Sequence, residues 1–178
     1  MRTLATKGRY ELNIFKGIDD IGCLEEIAKA RVLTNNLYSN PKCKLNLDPF
    51  DFHYEHLFIS NNENNEIVGA YRLANGPEIF RIYGLDGFYL YKSFKFGKHK
   101  RMIKSSLEIG SGFVLPKYQK EDAPFTLLWG GISYYFHQHE NLQHMTGSFR
   151  LLKDLNPNSI DMICSYLFKH HSLSLIHI

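Results

Sequence analysis

Glu108 is the one carboxylate in the apolar run Leu107 to Val114, which otherwise holds leucine, isoleucine, phenylalanine, valine, a serine and the glycines Gly110 and Gly112. A carboxylate early in such a strand needs an explanation, because burying it without partners is costly. Regular alternation sets Leu107, Ile109, Ser111 and Phe113 on one side, with Glu108, Gly110, Gly112 and Val114 on the other. Glu108 is therefore expected at the edge of a surface that two glycines leave without side chains. Glycine inside a strand marks a bulge or a close approach of ligand to backbone. A desolvated carboxylate there could accept a proton in a reaction. The bland alternative is a glycine-softened strand with Glu108 at its solvated end.

Other residues capable of chemistry are scattered. Asp48 and Asp51 sit with several aromatics in a polar loop over 40–55. The stretch 92–104, KSFKFGKHKRMIK, carries six Lys or Arg in thirteen residues, among them Lys95, Lys98, Lys100, Arg101 and Lys104. Such a run is usually a solvated face; its functional alternatives are an acidic protein partner or an anionic membrane surface. Nucleic acid is not expected, since the patch is short, the net charge only +3, and no binding module is recognisable. His137, His139 and His144 lie near one helix end and His170–His171 near another, which suits the helix dipole. An i, i+2 pair does not share a helix face, so no metal site is expected. His56 opens a strand beside the aspartate loop and could position a carboxylate.

Several elements must hold these residues. Alternation predicts a strand over 10–16, then a helix capped by Asp19 or Asp20 and running to about Leu37, with Ile21, Leu24, Ile27, Ala28, Val32 and Leu33 inside. Strands over His56 to Ser60 and Glu66 to Leu73 flank the turn NNENN and read as a hairpin. Residues 76–106 resist assignment beyond aromatics covering one end of the core. The central strand runs from Leu107 to Val114. Glu121 and Asp122 then open a helix of about 17 residues with Phe125, Leu128, Ile132 and Tyr135 on one face. A strand over 144–151 and a helix from Asn158 or Ser159 to about His170 complete the order. The predicted fold is α/β (α+β), a mixed sheet with helices on both faces.

The 178 residues are 44% hydrophobic and 22% charged, an ordinary globular composition long enough for one cored domain. Three cysteines without a CxxC pair argue for reduced thiols in a cytoplasmic protein, and the first residues lack the apolar core of a signal peptide. No apolar run approaches the ~18 residues of a membrane span.

The run LEIGSGFVLPKYQ followed by LLWGGI resembles the acyl-carrier-protein-dependent N-acyltransferases of the GCN5-related acetyltransferase superfamily. These form ornithine and glycine lipids, are sometimes labelled hemolysin-like, and are distantly similar to acyl-homoserine-lactone synthases. DPFDFHYEHLFIS resembles the family's aspartate-rich segment before a His-Leu strand, EIVGAYRL its strand ending in Tyr-Arg-Leu, and GFYLYKSFKF its Gly-Phe-Tyr stretch. The matches span about residues 10 to 150 in the right order.

The resemblance implies a GCN5-like fold and transfer of a long-chain, 3-hydroxylated or plain, acyl group from acyl carrier protein to an amino acid or small amine. It places functional weight on Glu108, Asp48, Asp51, Arg72 and Arg31. Glu108 would take the ammonium proton, and Gly110 and Gly112 would expose N–H groups to the thioester oxygen. Asp48 and Asp51 would fix the ammonium or order the substrate loop, and Arg72 would hold a carboxylate or anchor those aspartates. Trp129 would pack beneath the pantetheine tunnel, and the basic cluster would dock the carrier. No permanently bound cofactor is implied; the donor is the acyl-phosphopantetheine arm. Peripheral contact with the inner membrane fits such a role. Where the family writes Glu-Leu-Gly-Arg, this chain has Glu108-Ile109-Gly110-Ser111. Acetyl-CoA-using relatives hold pyrophosphate on a Gly-rich loop after this strand. Here PKYQKEDAP has no glycine and places Glu121 and Asp122 at the helix start, where they would cap it and repel a pyrophosphate, Lys117 and Lys120 compensating at most in part. The competing readings are a lactone-forming signal synthase and a non-catalytic carrier- or lipid-binding module.

Overall fold

A computed structural model describes residues 1–38, 47–94, 96–148 and 155–171, with the backbone alone at 36–38, 93, 98 and 171. Six strands form one sheet in chain order: β1 (Arg2–Lys7), β2 (Tyr10–Lys16), β3 (Glu55–Asn61), β4 (Glu66–Asn75), β5 (Ser106–Val114) and β6 (His144–Gly147). Neighbours are antiparallel except β5 and β6, which are parallel. The parallel pair is joined by the long helix α6 (Asp122–Gln138), the crossover that such a pair requires.

The sheet has two unlike faces. Gly131 of α6 packs so closely on Leu12 and Leu57 that a Cβ would come within 2.7 Å of Leu12. On this face Leu128, Gly131, Ile132 and Tyr135 are buried at helical spacing. Tyr135 donates from its hydroxyl to Glu55. The other face carries α1 (Ile21–Tyr38) and four short helices: α2 (Pro49–His53), α3 (Gly76–Tyr83), α4 (Tyr89–Ser93) and α5 (Lys100–Lys104). Phe50, Tyr54, Ala74, Ile79, Phe88, Leu90, Phe96 and Ile103 make a second apolar cluster there. The last helix, α7 (Pro157–His171), keeps Met162, Tyr166 and Phe168 exposed.

The predicted mixed sheet and hairpin are present, with the NNENN turn between β3 and β4. Asp20 caps α1 by accepting from the Cys23 N–H at 2.9 Å. Four expectations need correction. Strand β1 was not predicted, because its RTLATK sequence is exposed almost throughout and carries no apolar period. The 40–55 loop contains helix α2, and the described residues of 76–105 include the short helices α3, α4 and α5. Ile21, Leu33 and Phe125 are exposed rather than inside; α6 places Pro124 inward instead of Phe125. Strand β6 is His144–Gly147, with 149–151 outside the described residues.

Candidate active site

Strand β5 carries a bulge that resets its alternation. Arg72 pairs with Gly110 and Ala70 with Phe113, so Tyr71 faces both Ser111 and Gly112. One form of such a two-for-one step sets a residue in the left-handed region, and here Ser111 lies there at φ 50°. The extra residue moves Phe113 onto the face of Glu108 and turns Gly112 to the α6 face. A Cβ on Gly112 would lie 2.1 Å from the Tyr71 ring, whereas one on Gly110 would meet nothing within 4 Å. The surface beside Glu108 is therefore emptied by Gly110 alone, which corrects the regular alternation. Among the described residues, the pairing of β5 with β6 ends where Ile109 meets Gly147.

Glu108 is buried, 2% exposed, not at a solvated end. Its Oε1 accepts from the Tyr54 hydroxyl at 3.2 Å, and its Oε2 from the Leu90 N–H at 3.3 Å. Burial pushes its carboxyl up to about 7, against the pull of these donors and of the Arg72 charge. The Tyr54 hydroxyl also reaches the Gly87 carbonyl at 3.0 Å and accepts from the Tyr89 N–H at 2.9 Å. Burial and the neighbouring Glu108 raise the Tyr54 phenol well above its ordinary range. Thr146 of β6 stands in register with Glu108 on the same face, and its buried hydroxyl has no partner among the described residues.

Beside this pair lies an ionic network. Asp51 accepts from Arg31 through two bonds at 3.2 and 3.0 Å, and from Arg72 at 3.0 Å. Arg72 also donates to Asp48 at 2.8 Å. Asp48 caps α2, accepting from the Phe50 and Asp51 N–H groups, while Asp51 accepts in return from the Asp48 N–H, a capping box. Burial pushes the Asp51 carboxyl up, but the bonds and charges of Arg31 and Arg72 outweigh it and hold the pKa down. The Arg72 guanidinium lies 5.2–5.8 Å from the ring centroids of Phe50, Tyr54 and Tyr89. His56 lies 2.8 Å from the Asp51 carbonyl through Nε2, and burial lowers its pKa to about 4. The neutral ring donates there.

Of the residues singled out in the sequence, the structure joins Arg31, Asp48, Asp51 and Arg72 into one network and sets Glu108 and Gly110 next to it. Arg72 bonds to both aspartates. Gly112 and Trp129 are on the opposite face, where Trp129 is half-exposed with its ring 6.0 Å from Tyr71. Among the expected docking cations, Lys100 lies 6.0 Å from the Tyr91 ring centroid and Lys104 3.8 Å from that of Phe80. Arg101 is exposed on α5. Lys95 lies outside the described residues and Lys98 is described by backbone alone. Among the described residues no cluster of three His, Cys, Asp or Glu could hold a metal.

The helix start after β5 also differs in detail. Glu121 occupies the cap position of α6 but makes no cap bond; Tyr10 and Arg9 hold its carboxylate at 2.5 and 2.8 Å. Lys117 is paired with Glu66 at 2.6 Å. An open cleft of about 500 Å³ lies here, with Val114, Tyr118, Gln119, Glu121, Asp122, Phe125 and Thr126 around it. Tyr54, Thr146 and the α4 N–H groups escaped sequence reasoning. They come together around Glu108 from segments far apart in the chain, and no local pattern announces them.

A curated relative, the glycine N(alpha)-acyltransferase of Phocaeicola vulgatus, is 25% identical over 177 residues. The match covers 92% of this chain and 54% of the relative, so the chain spans about half the length of that protein. An aminoglycoside acetyltransferase from an uncultured soil metagenomic sample, solved with trehalose, superposes with a TM-score of 0.49 at 9% identity over 96% of this chain and 94% of the other. An integron cassette protein from the mobile metagenome of V. cholerae gives 0.49 at 12% identity, over 96% and 89%. The acetyltransferase (GNAT) domain profile matches residues 31–129, from Arg31 through the ionic network and Glu108 to Trp129; covering more than half of the sequence, it makes this chain a member of that family.

Proposed function

We propose that this protein is an N-acyltransferase that moves a long-chain acyl group from acyl carrier protein to the amino group of an amino acid or small amine. The observation that carries the reading is Glu108. It is a buried carboxyl held near 7, beside the open space over Gly110 and a Thr146 hydroxyl without a partner among the described residues. An amine arrives as ammonium at neutral pH and attacks only after losing a proton. Glu108 takes that proton, a step worth about 100- to 10,000-fold in rate. The nitrogen then bonds to the thioester carbon, the C–S bond breaks, and the thiolate leaves with the second proton lost by the nitrogen. The β5 backbone at Gly110 and the adjoining bulge would supply the N–H groups that face the developing oxyanion.

A carrier-borne donor fits better than CoA, because the cleft at the α6 start is walled by Glu121 and Asp122 and Lys117 is already paired. Lys100, Arg101 and Lys104 on α5 would meet the acidic carrier, and the same cations would favour an anionic membrane surface. No described helix is long and apolar enough to cross a membrane. The relative from Phocaeicola vulgatus, a glycine N(alpha)-acyltransferase by name, makes glycine the first acceptor to try. The test is mass spectrometry of lipid extracts from a host expressing the protein. N-acyl amino acids are expected with the native chain and absent with Glu108→Gln; identical extracts overturn the reading, and release of methylthioadenosine would identify a signal synthase instead.

A further inference from the structure

The Tyr54 hydroxyl has one proton and two acceptors, Glu108 Oε1 at 3.2 Å and the Gly87 carbonyl at 3.0 Å. The Tyr89 N–H, pointing at the same oxygen, removes any second way to satisfy both. The Gly87 carbonyl has a substitute donor, because His53 Nε2 lies 3.3 Å away. Two complete bonding patterns follow. With Glu108 ionised, Tyr54 donates to the carboxylate and His53 serves Gly87. With Glu108 protonated, the carboxyl donates to Tyr54 and Tyr54 donates to Gly87. Leu90 holds Oε2 in both.

The geometry points to Tyr54 as the positioning residue of Glu108, a rotating donor that follows the charge of the carboxyl and hands the Gly87 carbonyl to His53 whenever Glu108 is charged. This rests on the reading of Glu108 as the proton acceptor. The carboxyl keeps its bonds to Tyr54 and Leu90 before and after it takes a proton, so neither state leaves it without a partner. Glu108 is also faced by Arg72 from β4 and Thr146 from β6. His53 stacks on Tyr83 of α3, with ring centroids 4.5 Å apart, and feels the charges of Arg72 and Asp48. It opens on a cavity of about 90 Å³ shared with Lys16, Glu55 and Glu78.

The test is a carbon-13 titration of the Glu108 carboxyl in the native protein, Tyr54→Phe and His53→Leu, beside the pH profile of kcat/KM. Loss of a donor that favours the charged form should move the Glu108 midpoint upward by about one pH unit in Tyr54→Phe. The acid limb of kcat/KM should move with it. In His53→Leu the Gly87 carbonyl competes unaided for the Tyr54 proton, so a smaller shift in the same direction is expected. In the native protein the His53 ring nitrogens should report the Glu108 titration, and in Tyr54→Phe they should not. Unchanged midpoints in both variants, each folded by circular dichroism, overturn the proposal. Full activity in Glu108→Gln would instead overturn the proton-acceptor reading while leaving the titration result intact, so the two failures are separable.

Discussion

Glu108 carries a cost that can be measured apart from its chemistry. Its folded pKa, about 7, lies above the 4.5 of a free glutamate. The folded state therefore binds a proton that the unfolded chain has released, and stability falls as pH rises from about 4.5 to 7. Glu108→Gln should unfold at a higher denaturant concentration than the native protein at pH 8, by roughly 3 kcal/mol, with the gap closing toward pH 4.5. Native activity should rise with pH through about 7, as the carboxyl ionises. His56 works the other way. Its pKa is lowered to about 4, so its contribution is lost as pH falls from about 6.5 toward 4. Arg72 is a different kind of residue, held by two carboxylates and enclosed by three rings. Removing it leaves Asp51 buried with Arg31 as its one remaining cation among the described residues, and Arg72→Ala should cost about 3–5 kcal/mol in chemical unfolding.

At the scale of elements, the bulge in β5 decides which glycine matters for what. Gly112→Ala would drive a methyl into the Tyr71 ring and should cost about 1–3 kcal/mol in thermal unfolding. Gly110→Ala meets open space, so stability should stay within about 0.5 kcal/mol while kcat/KM for acyl transfer falls as the methyl enters the space beside Glu108. Alternation located the carboxylate and both glycines, but it could not place the bulge. The irregularity comes from the register of β4 against β5, set by residues about forty positions apart. The same limit hid α2, which is one turn long and stands on the Asp48 capping box and the grip of Arg72 and Arg31, not on a periodic apolar face.

Over the whole molecule, the sheet separates a packing face under α6 from a face under α1 and the short helices, where Glu108 and the ionic network lie beside a second apolar cluster. The α5 cations belong to the second face, where Lys100 lies near Tyr91 and Lys104 near Phe80. Lys100→Glu with Lys104→Glu should raise KM for an acyl carrier protein donor severalfold at low salt, with the difference shrinking as salt increases. KM for acyl-pantetheine, which has no carrier surface, should not change. The sequence by itself determined the succession of strands along the chain from β2 onward, the long helices, the hairpin and the oddity of Glu108 among apolar neighbours. Each rests on a local period, a turn or a residue type that does not belong among its neighbours. Only the tertiary structure decided that Glu108 is buried and meets Tyr54, Leu90 and Thr146, that Arg31 and Arg72 share Asp51, and that Gly112 and Trp129 face away. Hydrogen bonds, burial and the β5 bulge are relations between distant segments, and no single stretch of chain contains them.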